Sequence, residues 1–207
     1  MAEYSQGWLA EAPGPDNKQA SWRLDPKRAG VSCCMGDIGV HAANLAEFIS
    51  GLCITKLCAD LAPVVAGREL DDDGNVLLRF DNGAKGVLIA SQISVGEENN
   101  LNIRIYGSKA SLEWHQMEPN TLIIKYHDKS SQLVRSGVGN FYPSVANSLR
   151  TPAGHPEGYL EAFANLYMDF AKQIRAFKDP EATAMLVSQA PGIDEAIRGM
   201  AFIENCV

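Results

Sequence analysis

The stretch VLLRFDNGAKGVLIASQI, residues 76–93, decides the fold. It places two apolar runs, 76–80 and 85–93, on either side of Asp81-Asn82-Gly83. Asn-Gly supplies the positive φ angles that a tight turn between antiparallel strands requires. The stretch therefore predicts a β-hairpin.

Further strands are predicted on both sides of the hairpin. Leu101, Ile103 and Ile105 alternate with polar residues, and Gly107-Ser108 then turns the chain into residues 110–114. Residues 121–126 and 132–135 have weaker strand patterns, and residues 4–9 predict a strand near the start. Alternation with a period of two indicates strands that bury one face, so we expect an antiparallel meander.

Three helices are predicted around these strands. Residues 37–50 are rich in Ala, Leu and Ile and end at Gly51, a glycine stop. A long helix over about 157–178 ends before Pro180, and its apolar stripe is typical of a helix lying on a sheet. A last helix covers about 191–205. The pattern predicts one α+β domain over residues 1–207, with an open, mostly antiparallel sheet and helices packed on one face.

Composition excludes several classes of function. A net charge of -7 without a basic stripe argues against a nucleic-acid partner. The apolar runs are far shorter than the ~20 residues of a membrane span, and no leader sequence is visible, so we expect a cytoplasmic protein. The five cysteines form no C-x-x-C pair, which favours reduced, packed thiols over a structural zinc site.

The predicted helix at 37–50 carries the candidate chemistry. At ~100° per residue, Asp37, His41 and Asn44 fall on one line of a helix that is otherwise apolar. Such a helix is usually buried, and a buried charge needs a partner or a cleft. Three interpretations remain open for this line. It is a structural pair at a helix N-terminus, a metal pair lacking an obvious third ligand, or an acid-base site.

The acid-base interpretation has a specific chemistry. Oxidation of a secondary alcohol needs a base that accepts the hydroxyl proton as hydride leaves. Histidine is the side chain whose ordinary pKa suits that task near neutral pH. Asp37 would then orient the imidazole ring of His41 or a neighbouring hydroxyl.

The residues around this helix resemble a known family signature. Residues 22–26, Trp-Arg-Leu-Asp-Pro, precede residues 36–41, Gly-Asp-Ile-Gly-Val-His. Together they are similar to the W-R-x-D…D-x-G-x-H pattern of the glucose-fructose oxidoreductase, inositol dehydrogenase and rhizopine-catabolism (GFO/IDH/MocA) family. The likeness continues at residues 71–75, 107–109, 154–159 and 198–204. The loop before Asp37, residues 30–36, departs from the glycine run that the family often has there. Its side chains are larger, so we expect this loop to differ in shape from the family's near the nicotinamide.

The resemblance implies a fold and a reaction. Family members join an N-terminal Rossmann domain to a C-terminal open-sheet domain, and this chain resembles only the second. NAD or NADP would be bound mainly by the first domain, which would also supply a catalytic lysine from an E-K-P motif. The substrate would be a sugar or polyol, and the open sheet face would form a homodimer or homotetramer.

The resemblance also implies roles for individual residues. His41 would accept the proton and Asp37 would bind or orient the reacting hydroxyl. The residues expected to contact substrate are Trp22, Arg23, Asn44, His155 and Tyr159. No metal ligand and no cofactor-binding residue is expected in this chain.

Two expectations concern the isolated chain. The sequence contains neither alternating βαβ units nor a G-x-G-x-x-G turn, so we expect the chain alone neither to bind nor to reduce NAD(P). The alternative function is a non-enzymatic oligomerisation or ligand-binding module in which Asp37 and His41 are structural.

Overall fold

The computed structural model describes residues 1–14, 16–179 and 190–207. The described residues form one eight-stranded sheet with the order β2-β3-β4-β1-β5-β6-β7-β8. The strands are β1 Ala2–Ser5, β2 Ile54–Ala62, β3 Asp73–Phe80, β4 Lys85–Ser91, β5 Asn100–Tyr106, β6 Ala110–His115, β7 Thr121–Tyr126 and β8 Gln132–Arg135. All neighbouring pairs are antiparallel except β1 with β4. The predicted open, mostly antiparallel sheet is confirmed.

Six α-helices accompany the sheet within the described ranges. They are α1 Lys18–Arg23, α2 Pro26–Ala29, α3 Val40–Ser50, α4 Pro143–Ala146, α5 Tyr159–Lys178 and α6 Ile193–Cys206. A π-helical turn, Met35–Gly39, leads directly into α3. Pro180, predicted to end the long helix, lies outside the described residues. None of the described helices is long and apolar enough to cross a membrane.

The predicted hairpin is formed by β3 and β4. Gly83 in its turn has φ +86°, a left-handed conformation that residues with a Cβ rarely adopt. Val76 and Leu78 of β3 and Leu88 of β4 are almost completely buried. Each such side chain stabilises the fold by about 1.5–3 kcal/mol relative to an exposed one. These three residues lie on the face of the hairpin that contributes to the core.

The first strand differs from its prediction. It covers Ala2–Ser5, and residues 6–9 lie beyond its end, where their backbone is hydrogen-bonded to residues 91–97. A Cβ on Gly7 would come within 2.5 Å of the carbonyl oxygen of Ser94, so the chain approaches its neighbour too closely there for an ordinary strand residue. Because β1 inserts between β4 and β5, the two halves of the sheet meet along it.

The core lies between the sheet and α3. This helix packs on β1, β4 and β5, and α6 packs on α3 and β2. Ala42, Ala43 and Ala46 are buried on the sheet side of α3, where small side chains allow the helix to approach closely. Phe202 of α6 closes the same core. The helix that carries the candidate chemistry is therefore held against the centre of the sheet.

The sequence interpretation of α5 is wrong in one respect, because this helix does not lie on the sheet. Every residue of its apolar stripe is exposed, and the exposed fraction lies between 42% for Ile174 and 91% for Phe177. Asn165 instead accepts a hydrogen bond from Arg150 Nε (2.7 Å) and donates one to the carbonyl of Ser148 (2.7 Å). Apolar residues with a helical period indicate that one face of a helix is buried against a partner, but they do not identify the partner surface.

The cysteines provide a test of this core. Burial, with the charge of Asp71 adding to it, raises the pKa of Cys33 and of Cys206 to about 12. Cys34 is also buried, whereas Cys53 is exposed. At pH 8 a thiol with a pKa near 12 is ~10⁻⁴ thiolate, the only reactive form. We expect iodoacetamide to modify the exposed Cys53 and Cys58 and to leave Cys33, Cys34 and Cys206 intact.

Peptide mass spectrometry measures this pattern directly. Alkylation in 8 M urea is the control, because all five thiols then become accessible. Modification of Cys33 in the folded protein at the rate of Cys53 would contradict the described core.

Candidate active site

The candidate site lies at the end of the sheet where β1 finishes. Ser5, the last residue of β1, pairs with Ser91 at the end of β4 and with Asn100 at the start of β5. The segments that follow β1 and β4 and that precede β5 therefore meet at this end. The π-helical turn packs against β1 and β4 close by.

A buried aspartate holds the start of the helical segment. The carboxylate of Asp71 accepts hydrogen bonds from the backbone N–H of Cys33 (2.8 Å) and of Met35 (2.8 Å). The carbonyl of Asp71 also accepts the N–H of Cys34 (3.0 Å). A negative charge beside unpaired N–H groups is favourable at the N-terminus of a helix. Asp71 thus fixes where the helix that follows begins.

Asp37 lies in the π-helical turn and has two donors. Its Oδ2 accepts hydrogen bonds from Arg23 Nε and from Gln92 Nε2, each at 2.8 Å. Its side chain is 21% exposed. Oδ1 accepts no hydrogen bond from the residues that the structure describes, so one oxygen of the carboxylate remains available to a ligand hydroxyl.

Gln92 orients the Asp37 carboxylate from within the core. Its side chain is fully buried, at 0% exposure. The thiol of Cys33 donates to its Oε1 (3.3 Å), which leaves Nε2 directed at Asp37. Since the pKa of Cys33 is raised to about 12 by burial, this thiol keeps its proton and remains a donor.

Arg23 joins the carboxylate to two indole rings. Its guanidinium carbon lies 4.3 Å from the centre of the Trp22 ring and 5.7 Å from that of Trp8. Nη1 donates to the side-chain oxygen of Gln19 (2.8 Å). Of the two predicted contacts, Arg23 therefore binds Asp37 directly, and Trp22 contacts Arg23.

His41 and Tyr4 form the adjoining part of the site. His41 is exposed, and its ring centre lies 6.3 Å from that of Tyr4 at an interplanar angle of 57°. The hydroxyl of Tyr4 donates to Asn99 Oδ1 (3.1 Å). Burial raises the pKa of Tyr4, and the negative charge of Asp37 raises it further. Tyr4 therefore stays a neutral phenol beside both candidate catalytic residues.

The predicted single line of polar residues is modified by the π-helical turn. An i→i+5 turn contains more residues than an α-helical one, so it offsets Asp37 from the α-helical positions that follow. His41 and Asn44 line a groove between α3, β2 and α6 with a cavity volume of about 1,010 Å³, and Asp37 does not. Arg198 of α6 donates to Glu47 Oε2 across this groove (2.9 Å).

His155 and Tyr159 are not brought to Asp37. His155 lies in the loop before α5, with Nδ1 3.3 Å from the carbonyls of Pro152 and Ala153. It lines a separate cavity of about 230 Å³ beside Asn120, which precedes β7. In the sheet order, β7 is three strands away from β1. At ordinary strand spacing, the start of β7 therefore lies roughly 14 Å from the end of β1, at the same end of the sheet. Tyr159 is 75% exposed and packs on Phe163.

Sequence reasoning missed five residues that the fold adds to the site. They are Tyr4, Gln6, Trp8, Gln92 and Asn99. All five belong to β1 or to segments that meet because β1 inserts between β4 and β5. Gln92 had a detectable signal, since it continues the inward phase of Leu88 and Ala90. A glutamine in a buried phase needs polar partners, which points to a site.

Metal binding has no support in the described part of the chain. In residues 1–14, 16–179 and 190–207, no three His, Cys, Asp or Glu side chains are grouped so as to hold a metal ion.

Known proteins similar to this chain include oxidoreductases. A Bacillus subtilis (strain 168) protein named uncharacterized oxidoreductase YfiI is 35% identical over 99% of this chain and 53% of its own length. An oxidoreductase from Sinorhizobium meliloti has a solved structure that is 39% identical, with a TM-score of 0.82 over 99% of this chain and 52% of that one. This chain therefore spans about half the length of these relatives.

A third relative has been crystallised with ligands. An inositol dehydrogenase homolog from Azotobacter vinelandii, complexed with NAD+, is 30% identical, with a TM-score of 0.93 over 99% of this chain and 53% of that chain. Its structure with NADH and myo-inositol gives a TM-score of 0.87 at 31% identity over 99% of this chain and 52% of that chain. Residues 1–113 match the family described as the GFO/IDH/MocA C-terminal domain. The chain belongs to the GFO/IDH/MocA family.

Proposed function

We propose that residues 1–207 form the substrate-binding and oligomerisation domain of an NAD(P)-dependent oxidoreductase. The substrate is a sugar, a sugar derivative or a cyclic polyol that reacts at a secondary alcohol or ketone. The observation that carries the proposal is the Asp37 carboxylate, held through Oδ2 by Arg23 and Gln92 with Oδ1 available, and its charge acts on Tyr4, whose ring centre lies 6.3 Å from that of the exposed His41.

His41 is the proposed proton acceptor. It follows Asp37 by four residues on the same helical segment and faces a groove that is open to a ligand. A histidine can accept a hydroxyl proton near neutral pH without further activation. In the reverse direction the same nitrogen returns the proton to the ketone oxygen.

Asp37 is the proposed anchor of the reacting hydroxyl. Arg23 and Gln92 both donate to its Oδ2, so the carboxylate is fixed before substrate arrives and loses little freedom on binding. Preorganised acceptors of this kind place a hydroxyl close to its base. The buried amide of Gln92 also limits the rotation that an exposed aspartate would have.

In the proposed enzyme, NAD or NADP is bound mainly outside this chain. Helix N-termini are common binding sites for phosphate groups. At the start of three helical segments of this chain, a carboxylate accepts one backbone N–H: Asp71 binds Met35 N, Glu161 binds Gly158 N (2.9 Å) and Glu195 binds Gly192 N (2.7 Å). We propose that a separate N-terminal domain binds NAD or NADP, which supplies the hydride acceptor or donor.

The open sheet face is the proposed oligomer surface. Leu77 of β3 and Val87 of β4 pair across the strands and are 54% and 37% exposed on the face away from α3. Leu133 of β8 is 61% exposed beside Ile123 of β7 on the same face. Exposed apolar side chains grouped on a flat sheet mark a partner surface, and two copies related by a twofold axis would cover it.

The first test concerns His41 in the full-length enzyme. His41→Ala should lower turnover by about 10²–10⁴-fold, because a positioned general base is lost. His41 is exposed, so the variant should fold normally. The matched control is His127→Ala, an exposed histidine beyond the other end of β7. The measurement is kcat per folded molecule, with myo-inositol as the first substrate, across pH 6 to 10.

Asp37→Asn separates anchoring from proton transfer. This change keeps the shape but removes the charge that pairs with Arg23, so KM should rise and kcat should fall together.

Turnover at the wild-type level in folded His41→Ala would remove His41 from the mechanism. A lower melting temperature with normal activity per folded molecule would instead support the structural alternative for both residues.

The second test concerns assembly. Light scattering of the 22.4 kDa chain should give twice or four times that mass at high micromolar concentration. Leu77→Arg should shift the mass toward the monomer, because it places a charge in the proposed contact. Phe177→Arg on α5 is the matched control and should leave the mass unchanged. A monomeric wild type, or dissociation by Phe177→Arg instead, would contradict assembly through the sheet face.

A further inference from the structure

Trp8 exposes aromatic carbon at the candidate site. The residue is 39% exposed, although it is one of the largest apolar side chains in the chain. Its indole N–H donates to Gln6 Oε1 (2.8 Å). Because the single donor of the ring is already bound, what Trp8 offers to solvent is the apolar surface of the indole.

The surroundings of Trp8 hold the ring in place before any ligand binds. Gln6 is buried, and its Nε2 donates to Asn99 Oδ1 (2.6 Å), the same oxygen that accepts the hydroxyl of Tyr4. The backbone on either side is also fixed: Gly7 N donates to the carbonyl of Glu97 (2.8 Å), and Leu9 N donates to that of Gln92 (3.0 Å). Leu9 itself is fully buried. An exposed ring with this support is preorganised rather than loosely attached.

Trp8 lies next to Arg23, the residue that binds Asp37. The Arg23 guanidinium lies 5.7 Å from the centre of the Trp8 ring and binds Asp37 through Nε. The Trp22 ring is nearer to that guanidinium, at 4.3 Å, so the cation contacts Trp22 more closely than Trp8. Of the two rings, Trp8 is therefore the one less covered by Arg23.

We propose that Trp8 is the stacking platform for the substrate ring, and that this ring carries no phosphate or carboxylate group. The inference rests on the proposed function and names the substrate class of the same site. The carbon-bound hydrogens on one face of a sugar or cyclitol ring match the electron-rich face of an indole. Its hydroxyls then meet the carboxylate of Asp37 and the imidazole of His41.

The charge of the site defines the ligand class. Arg23 is the cation beside Trp8, and its charge is compensated by Asp37 at 2.8 Å. The side chains behind the platform are the neutral amides of Gln6 and Asn99 and the phenol of Tyr4. A phosphate or carboxylate on the ligand would face the Asp37 carboxylate, and the two described arginines that contact this segment, Arg23 and Arg68, are already paired with Asp37 and Asp72, so an anionic ligand is unfavourable.

The test measures ligand binding to this chain by saturation-transfer NMR, with myo-inositol as the probe. Wild type should bind, and Trp8→Ala should weaken binding by about tenfold, the typical loss for a tryptophan at a binding centre. Trp8→Phe keeps a smaller ring and should lose about threefold. Tyr106→Ala is the matched control, an exposed aromatic at the opposite end of β5, and should bind like wild type. Myo-inositol 1-phosphate should bind no more tightly than myo-inositol.

Each other outcome overturns a defined part of the inference. Equal affinity in wild type and Trp8→Ala would reject the platform, while the roles of Asp37 and His41, tested by turnover, would stand. Tighter binding of the phosphate would reject the uncharged ligand class. No binding to wild type at 50 mM myo-inositol would reject the inference for this chain, and the full-length turnover assay would then judge the proposed function separately.

Discussion

The carboxylate of Asp71, bound to the N–H groups of Cys33 and Met35, is the contact on which the site depends. It is 7% exposed and meets the start of the helical segment that contains Asp37 and His41. The adjacent Asp72 is fully buried and holds the loop after β2 through the N–H groups of Val64 and Val65. The backbone carbonyl of Asp72 also binds Gln92 N (2.9 Å). Two neighbouring aspartates thus join a helix, a loop and the end of β4.

This arrangement explains how a polar site exists beside an apolar core. Gln92 follows directly after β4 and is fixed through its backbone by Asp72, while its side chain connects the Cys33 thiol to Asp37. Every group in this chain of contacts has a partner, which is the condition for burying polar atoms without a large cost. Arg23 binds Asp37 from the solvent side and completes this set of contacts. The result is a carboxylate with one oxygen held and the other available, the property on which the proposed chemistry relies.

Much of the fold follows from local sequence patterns, whereas the composition of the site does not. The β3-β4 hairpin was predictable because Asn82-Gly83 sets the turn and Val76, Leu78 and Leu88 set the inward face. The helix ending at Gly51 was predictable from its glycine stop, but the π-helical turn that offsets Asp37 from His41 leaves no trace in residue periodicity. The insertion of β1 between β4 and β5 is a long-range pairing, and it alone brings Tyr4, Gln6 and Trp8 to Asp37. The exposed stripe of α5 was misassigned because periodicity identifies an apolar face and not its partner.

Urea unfolding of Asp71→Asn tests the dependence on Asp71 most directly. Asparagine has the same size but replaces one acceptor with an N–H₂ group that would face a backbone donor. The free energy of unfolding should fall by about 3 kcal/mol, the cost of leaving a buried, charge-assisted hydrogen bond unmade. Asp73→Asn, two residues along and without a described side-chain hydrogen bond, should change it by less than about 0.5 kcal/mol. Equal stability of the two variants would contradict the central role of Asp71.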